Sequence, residues 1–153
     1  MEVAVILHNI RSAHNVGSVF RTADAAGVRK IYLCGYTPTP LDKYGRPQKD
    51  IAKIALGAET YVDWEYKEQV KDVIHELKRK RFAVVAVEQS ENAIDFKKCK
   101  TKRDTAFIFG NEVRGLSKQA LAMCDTVIEI PMRGKKESLN VAVTAGIILF
   151  GVK

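Results

Sequence analysis

Three cysteines are all that the 153 residues hold: Cys34, Cys99 and Cys124. They are odd in number and far apart, which excludes a disulfide framework and any Cys-x-x-Cys metal pair, and they read as small hydrophobes. Histidine is as scarce. His8, His14 and His75 have no metal-ligand spacing with a cysteine or glutamate, so no metal site and no catalytic triad are expected, and only His14 adjoins a polar block worth testing. No apolar stretch reaches the length needed to span a bilayer, and the start Glu2-Val3-Ala4-Val5-Ile6 offers neither a basic leader nor a cleavage site. A mature cytoplasmic chain is therefore expected. The sequence also lacks G-x-G-x-x-G, and its nearest approach to a P-loop fails because Glu129 stands where G-x-x-x-x-G-K needs its first glycine. A Rossmann-type cofactor site and a nucleotide-phosphate loop are both disfavoured. Repeats, heptads and low-complexity tracts are missing too.

What is present points to one compact domain over residues 1–153, since a chain of this length that is 46% hydrophobic can bury a sizeable core. Its 25 basic residues against 18 acidic ones give a net charge of +7, which favours a polyanionic partner. Part of that charge lies in one dense run, Lys97, Lys98, Lys100, Lys102 and Arg103, either a solvated loop or an extension of a nucleic-acid footprint.

Apolar runs alternate with helical patterns. Residues 3–7, 30–34, 82–87, 105–109 and 126–130 read as strands, hydrophobic along their length as strands covered on both faces should be. Residues 15–26, 66–81, 117–123 and 138–150 read as helices. The recurring β-α-β order predicts an α/β fold, a parallel sheet with helices on both faces. The longest loop, Gly35 to Gln48, is long enough to be functional.

Three blocks carry polar side chains beside glycine or proline where a strand gives way to a helix, the usual place for a site in such a fold. The first is Asn15-Val16-Gly17 with Arg21. Val16, Val19, Phe20 and Ala23 form one buried helical face, Asn15 is available as N-cap, Gly27 as stop, and Arg21 points away from the core, free to meet a partner. A capping asparagine and a solvated arginine explain the same spacing. The second is Phe109-Gly110-Asn111-Glu112 followed by Gly115-Leu116-Ser117, in which Gly110-Asn111 lets a ligand approach the main chain and Ser117 caps a helix stapled by Leu116 and Leu121. Here a surface pairing of Glu112 with Arg114 or Lys118 is the plain alternative. The third runs from Ile130-Pro131-Met132 through a basic loop, Arg133 to Lys136, to Ser138-Leu139-Asn140. Proline ends the strand, Ser138 is the expected cap, and the following helix, apolar nearly all round, is expected to be buried. Its N-terminus beside Lys135 and Lys136 also suits an anion.

Together the three blocks resemble the ordered motifs of the SpoU/TrmH family, RNA ribose 2′-O-methyltransferases of the SPOUT superfamily, and the resemblance extends from Asn9 to Phe150. It implies transfer of a methyl group from S-adenosylmethionine to a ribose 2′-hydroxyl of tRNA or rRNA without a metal. It implies a deep trefoil knot near the C-terminus and a homodimer. Catalytic and substrate-holding roles then fall on Arg21, Asn15, Glu112, Ser138 and Asn140. The cofactor falls to Gly110, Ile130, Met132, Ser138 and Leu139, with Val87 and Glu88 by a looser match. Rival expectations are a non-catalytic RNA-binding module with the same fold, and a base-directed methyltransferase of the wider superfamily.

Overall fold

The computed structural model describes residues 1–152, and within them seven strands form one sheet in the order β3-β2-β1-β6-β4-β7-β5, every neighbouring pair parallel. The strands are β1 (Val3–His8), β2 (Lys30–Cys34), β3 (Asp63–Lys67), β4 (Ala83–Val87), β5 (Ile94–Asp95), β6 (Thr105–Phe109) and β7 (Thr126–Glu129). Between them lie α1 (Ala13–Ala26), α2 (Lys49–Ala55), α3 (Ala58–Tyr61), α4 (Val70–Arg79), a one-turn helix Phe96–Lys98, α5 (Lys118–Met123) and the closing α6 (Val141–Gly151).

Because side chains alternate across a strand, the continuous apolar runs feed two cores. Val5 and Leu7 of β1, with Phe107 and Phe109 of β6, pack under α1, α2 and α6 through Val16, Val19, Phe20, Ile51, Ala145 and Ile148. Ala4 and Ile6, with Ala106 and Ile108, pack on the other face against Val73, Ile74 and Leu77 of α4 and Leu121 of α5. Helices on both faces thus follow directly from the strand sequences. Gly17 serves this packing: a Cβ there would lie 2.8 Å from the Ile51 carbonyl, so α1 and α2 approach as closely as they do only because position 17 is bare.

Several local expectations are corrected. Ser12, not Asn15, caps α1, accepting the Asn15 amide at 3.1 Å, and this frees the Asn15 side chain; Gly27 closes the helix as expected. Asn140, not Ser138, caps α6, its Oδ1 accepting the amides of Ala142 and Val143. Both shifts have one cause: the apolar stripe marks a helix, but the first side-chain oxygen able to reach back to the second or third amide decides where it starts. The pattern over 66–81 conceals a boundary, because residues 63–67 pair with β2 as the charged edge strand β3 before α4 begins at Val70. Finally, α6 is not buried all round. Val141, Ala145 and Ile148 face the core, but Val143 is 52% and Phe150 58% exposed.

The cysteines behave as small hydrophobes. Burial pushes the Cys34 thiol up to about 12 and the Cys124 thiol up to about 11, which disfavours the thiolate at both.

Candidate active site

At the C-terminal ends of β4, β6 and β7 the sheet opens into a cleft of about 290 Å³. Three chain segments wall it. Val87, Glu88 and Gln89 leave β4; Phe109 to Val113 and Gly115 leave β6; Glu129, Ile130, Met132 and then Glu137 to Leu139 follow β7, with Val141 and Thr144 of α6 at the back. All seven residues expected to hold a cofactor, Val87, Glu88, Gly110, Ile130, Met132, Ser138 and Leu139, line this one cleft.

Hydrogen bonds fix each wall. Glu88 Oε2 accepts the Leu116 amide at 2.8 Å and so ties the end of β4 to the loop before α5. That loop presses directly on Gly110, where a Cβ would come within 2.6 Å of the Gly115 carbonyl carbon, so the cleft keeps a floor of bare main chain. Asn111, only 8% exposed, accepts the amides of Val113 and Arg114 and donates through Nδ2 to the Asn9 carbonyl and the Tyr36 hydroxyl, both at 2.9 Å. Gln89 Nε2 donates to the Glu137 carbonyl at 2.7 Å and holds the third segment against the first.

Glu112 does not pair with Arg114 or Lys118. Its carboxylate faces the start of α1, accepting the Arg11 amide at 3.2 Å on both oxygens, the Ser12 amide at 3.4 Å and Asn15 Nδ2 at 3.5 Å. A carboxylate there also meets the positive end of the helix dipole. Asn15 Oδ1 in turn accepts Asn140 Nδ2 at 3.1 Å. One chain of contacts, Glu112 to Asn15 to Asn140, therefore joins residues 97 and 125 positions apart, and it joins all three sequence blocks. Ser138 is exposed in the cleft wall. Arg21 stands apart: it is exposed, lies outside the cleft lining, and is six residues beyond Asn15, roughly 9 Å along the helix axis. His14 is exposed next to this chain but takes no part in it.

The walls suit some ligands better than others. Val87, Phe109, Ile130, Met132, Leu139 and Val141 supply an apolar surface, and Glu88, Glu112, Glu129 and Glu137 supply carboxylates, a set that fits a flat organic body carrying positive charge. It fits a phosphate poorly. Lys135 and Lys136 line a neighbouring hollow rather than this cleft, and the first amides of α6 are already taken by Asn140. The anion-binding reading of that helix end is thereby disfavoured. Among the described residues no group of three or more His, Cys, Asp or Glu side chains is placed to hold a metal ion. Sequence reasoning missed Gln89, Glu129 and Glu137 in the walls, and it read Asn111 as part of a break that admits a ligand, not as the buried link to Asn9 and Tyr36.

The sequence model of the SpoU rRNA Methylase family matches residues 2–150. The chain belongs to that family. Among its relatives, a tRNA (guanosine(18)-2′-O)-methyltransferase of Thermus thermophilus is 35% identical over 156 residues, covering 97% of this chain and 73% of that protein. The protein of the same description from Escherichia coli K12 is 32% identical over 149 residues, and there the SpoU chain described here spans only 62% of the relative's length. The AdoMet-bound rRNA methyltransferase from Sinorhizobium meliloti superposes with a TM-score of 0.87 at 26% identity, over 98% of this chain and 55% of that one.

Proposed function

We propose that this SpoU domain transfers a methyl group from S-adenosylmethionine to a ribose 2′-hydroxyl of structured RNA, tRNA or rRNA. The observation that carries the reading is the cleft itself: a largely polar, carboxylate-edged pocket with apolar side chains in its walls, bordered at Glu112 by the Glu112–Asn15–Asn140 chain. Support comes from the family match, from relatives described as guanosine 2′-O-methyltransferases, and from the AdoMet-bound neighbour.

When bound, S-adenosylmethionine supplies an electrophilic methyl group on a sulfonium. Val87, Ile130, Met132 and Leu139 would hold its apolar parts, the main chain at Gly110 would lie against it, and Glu88 and Ser138 would offer polar partners. Glu112 orders the first turn of α1 and, with Asn140, fixes the side-chain amide of Asn15, whose second N–H would hold the ribose and so align the hydroxyl. Alignment of this kind supplies much of a transfer rate. Arg21 would meet the ribose or its phosphate; a guanidinium with a pKa above 12 is a poor proton acceptor, so its part is to bind and orient.

Further parts of the reading concern architecture. We place a deep trefoil knot near the C-terminus, a reading supported by membership of the SpoU family. Residues 1–153 make one catalytic domain. The outward apolar face of α6, with Val143 and Phe150 exposed, suits a homodimer. RNA as substrate and three unpaired thiols fit a cytoplasmic setting.

The test is calorimetric titration of S-adenosylmethionine, followed by nucleoside analysis of RNA treated with the protein and labelled cofactor. Micromolar binding and a 2′-O-methylated nucleoside are expected, with Arg21→Ala binding cofactor normally but transferring little. RNA affinity without cofactor affinity would instead select the non-catalytic module, and a methylated base the base-directed enzyme.

A further inference from the structure

The loop from Gly35 to Gln48 is not a slack connector. Leu41 and Pro47 form an antiparallel bridge, the Asp42 amide donates to the Arg46 carbonyl at 2.8 Å, and the Gly45 amide donates back to the Asp42 carbonyl at 3.0 Å. Inside this small finger the Asp42 carboxylate is fully engaged: Oδ1 accepts the amides of Tyr44 and Arg46 at 2.8 and 2.9 Å, and Oδ2 accepts Arg46 Nε at 2.9 Å. These donors, the Arg46 amide foremost, hold the carboxyl below the usual carboxylate range.

At the tip stands Tyr44, 68% exposed. Lys43 Nζ lies 5.0 Å from its ring centroid and the Arg46 guanidinium carbon 4.9 Å. An aromatic ring held in water by a rigid turn, flanked by two cations while the local acid is turned inward, has the composition of a nucleic-acid stacking platform. Its position agrees. The finger leaves the C-terminal end of β2, and because the sheet is parallel this is the edge on which the cleft opens. At its root Tyr36 bonds through its hydroxyl to Asn111 in the cleft wall. By contrast the basic run ending at Arg103 turns to the opposite edge, where the Glu2 amide donates to Asp104 at 2.7 Å ahead of β1.

We propose that the Leu41–Pro47 finger is an RNA-binding element, Tyr44 stacking an unpaired base beside the target nucleotide while Lys43 and Arg46 move from the ring to the adjacent phosphates. The inference rests on RNA being the substrate. Core packing plays no part in the finger's tip, so variants there leave the cleft intact.

Filter binding of labelled bulk tRNA and bulk rRNA, repeated over a salt series, tests it with wild type, Tyr44→Ala, Tyr44→Phe and the double variant Lys43→Ala/Arg46→Ala. Tyr44→Ala is expected to weaken binding of the preferred RNA about tenfold, with Tyr44→Phe within about twofold of wild type because the ring is kept. The double variant is expected to flatten the log–log salt dependence by about 1.5, the release of two phosphate contacts. In methyl transfer the KM for RNA rises while kcat at saturating RNA and the affinity for S-adenosylmethionine stay unchanged. Wild-type RNA affinity in Tyr44→Ala overturns the finger alone; a wild-type protein that binds neither RNA overturns the RNA reading and the finger with it.

Discussion

Replacing Glu112 by glutamine separates ordering of the site from binding of the cofactor. The wild-type carboxylate presents two acceptor oxygens to three donors, the Arg11 and Ser12 amides and Asn15 Nδ2, at 3.2 to 3.5 Å. Glutamine keeps the shape but has one acceptor oxygen and no charge. All three donors meet Oε1 and only the Arg11 amide also reaches Oε2, so a glutamine oxygen in the Oε1 place keeps three weaker, neutral bonds and sets its new amide group against the Arg11 N–H. The bonds are long and partly solvated, so the loss of charge at the helix start costs about 1 kcal/mol. For a domain of this size that lowers Tm by roughly 2–4 °C. The larger effect falls on transfer. Held by a neutral acceptor in place of a charged one, Asn15 samples more than one rotamer, and a misplacement of an aligned group by about 1 Å costs on the order of a hundredfold in rate. Single-turnover methyl transfer with saturating cofactor is therefore expected to slow by tenfold to a hundredfold, while calorimetry gives a cofactor affinity within about threefold of wild type. Wild-type transfer in Glu112→Gln, or a fall in cofactor affinity that matches the fall in rate, refutes the division of labour argued here.

Two other outcomes follow from particular contacts. Asn140→Ala removes both the cap of α6 and the partner of Asn15, so it is expected to lose about 1 kcal/mol of stability and most activity; Asn140→Ser restores the cap and the thermal midpoint but is too short to reach Asn15, so activity stays low. Glu76, hydrogen-bonded first by Lys67 and then by Lys80, has its carboxyl held down to about 2 from an ordinary 4.5, so its contribution to stability is full above pH 4.5 and is lost as pH falls toward 2; acid denaturation followed by circular dichroism is expected to show a shallower loss over that window in Glu76→Gln.

The sheet was legible in the sequence because its central strands are apolar on both faces, and nothing but a doubly covered parallel strand explains runs such as Thr105 to Phe109. β3 was not, since Asp63-Trp-Glu-Tyr-Lys67 is an edge strand whose charges pair outward, Lys30 with Glu65 at 2.8 Å among them, and its alternation merges with the helical pattern that follows. α2 and α3 escaped because each is at most seven residues, too short for a periodic signal. In the cleft, residues beside glycine or proline announced themselves, whereas Gln89, Glu129 and Glu137 reach it only through strand order. That order, with β6 inserted between β1 and β4 and β7 between β4 and β5, brings strand ends together that no local pattern connects.

The same strand order explains why the chain can dispense with a glycine-rich phosphate loop. In doubly wound sheets that loop feeds an uncapped helix N-terminus, whose free amides and positive dipole end meet a pyrophosphate. Both helix starts at this cleft are already satisfied from within: Glu112 holds the Arg11 and Ser12 amides ahead of α1, and Asn140 holds the Ala142 and Val143 amides of α6. Four glutamates around the cleft, Glu112 at the helix start among them, make the pocket repel an anion and favour a cation. The capping groups are moreover the residues that link to Asn15. The side chains that close the two helices to phosphate are thus the ones that assemble the lip where a ribose would lie, so reopening an anion site by mutation would dismantle that lip.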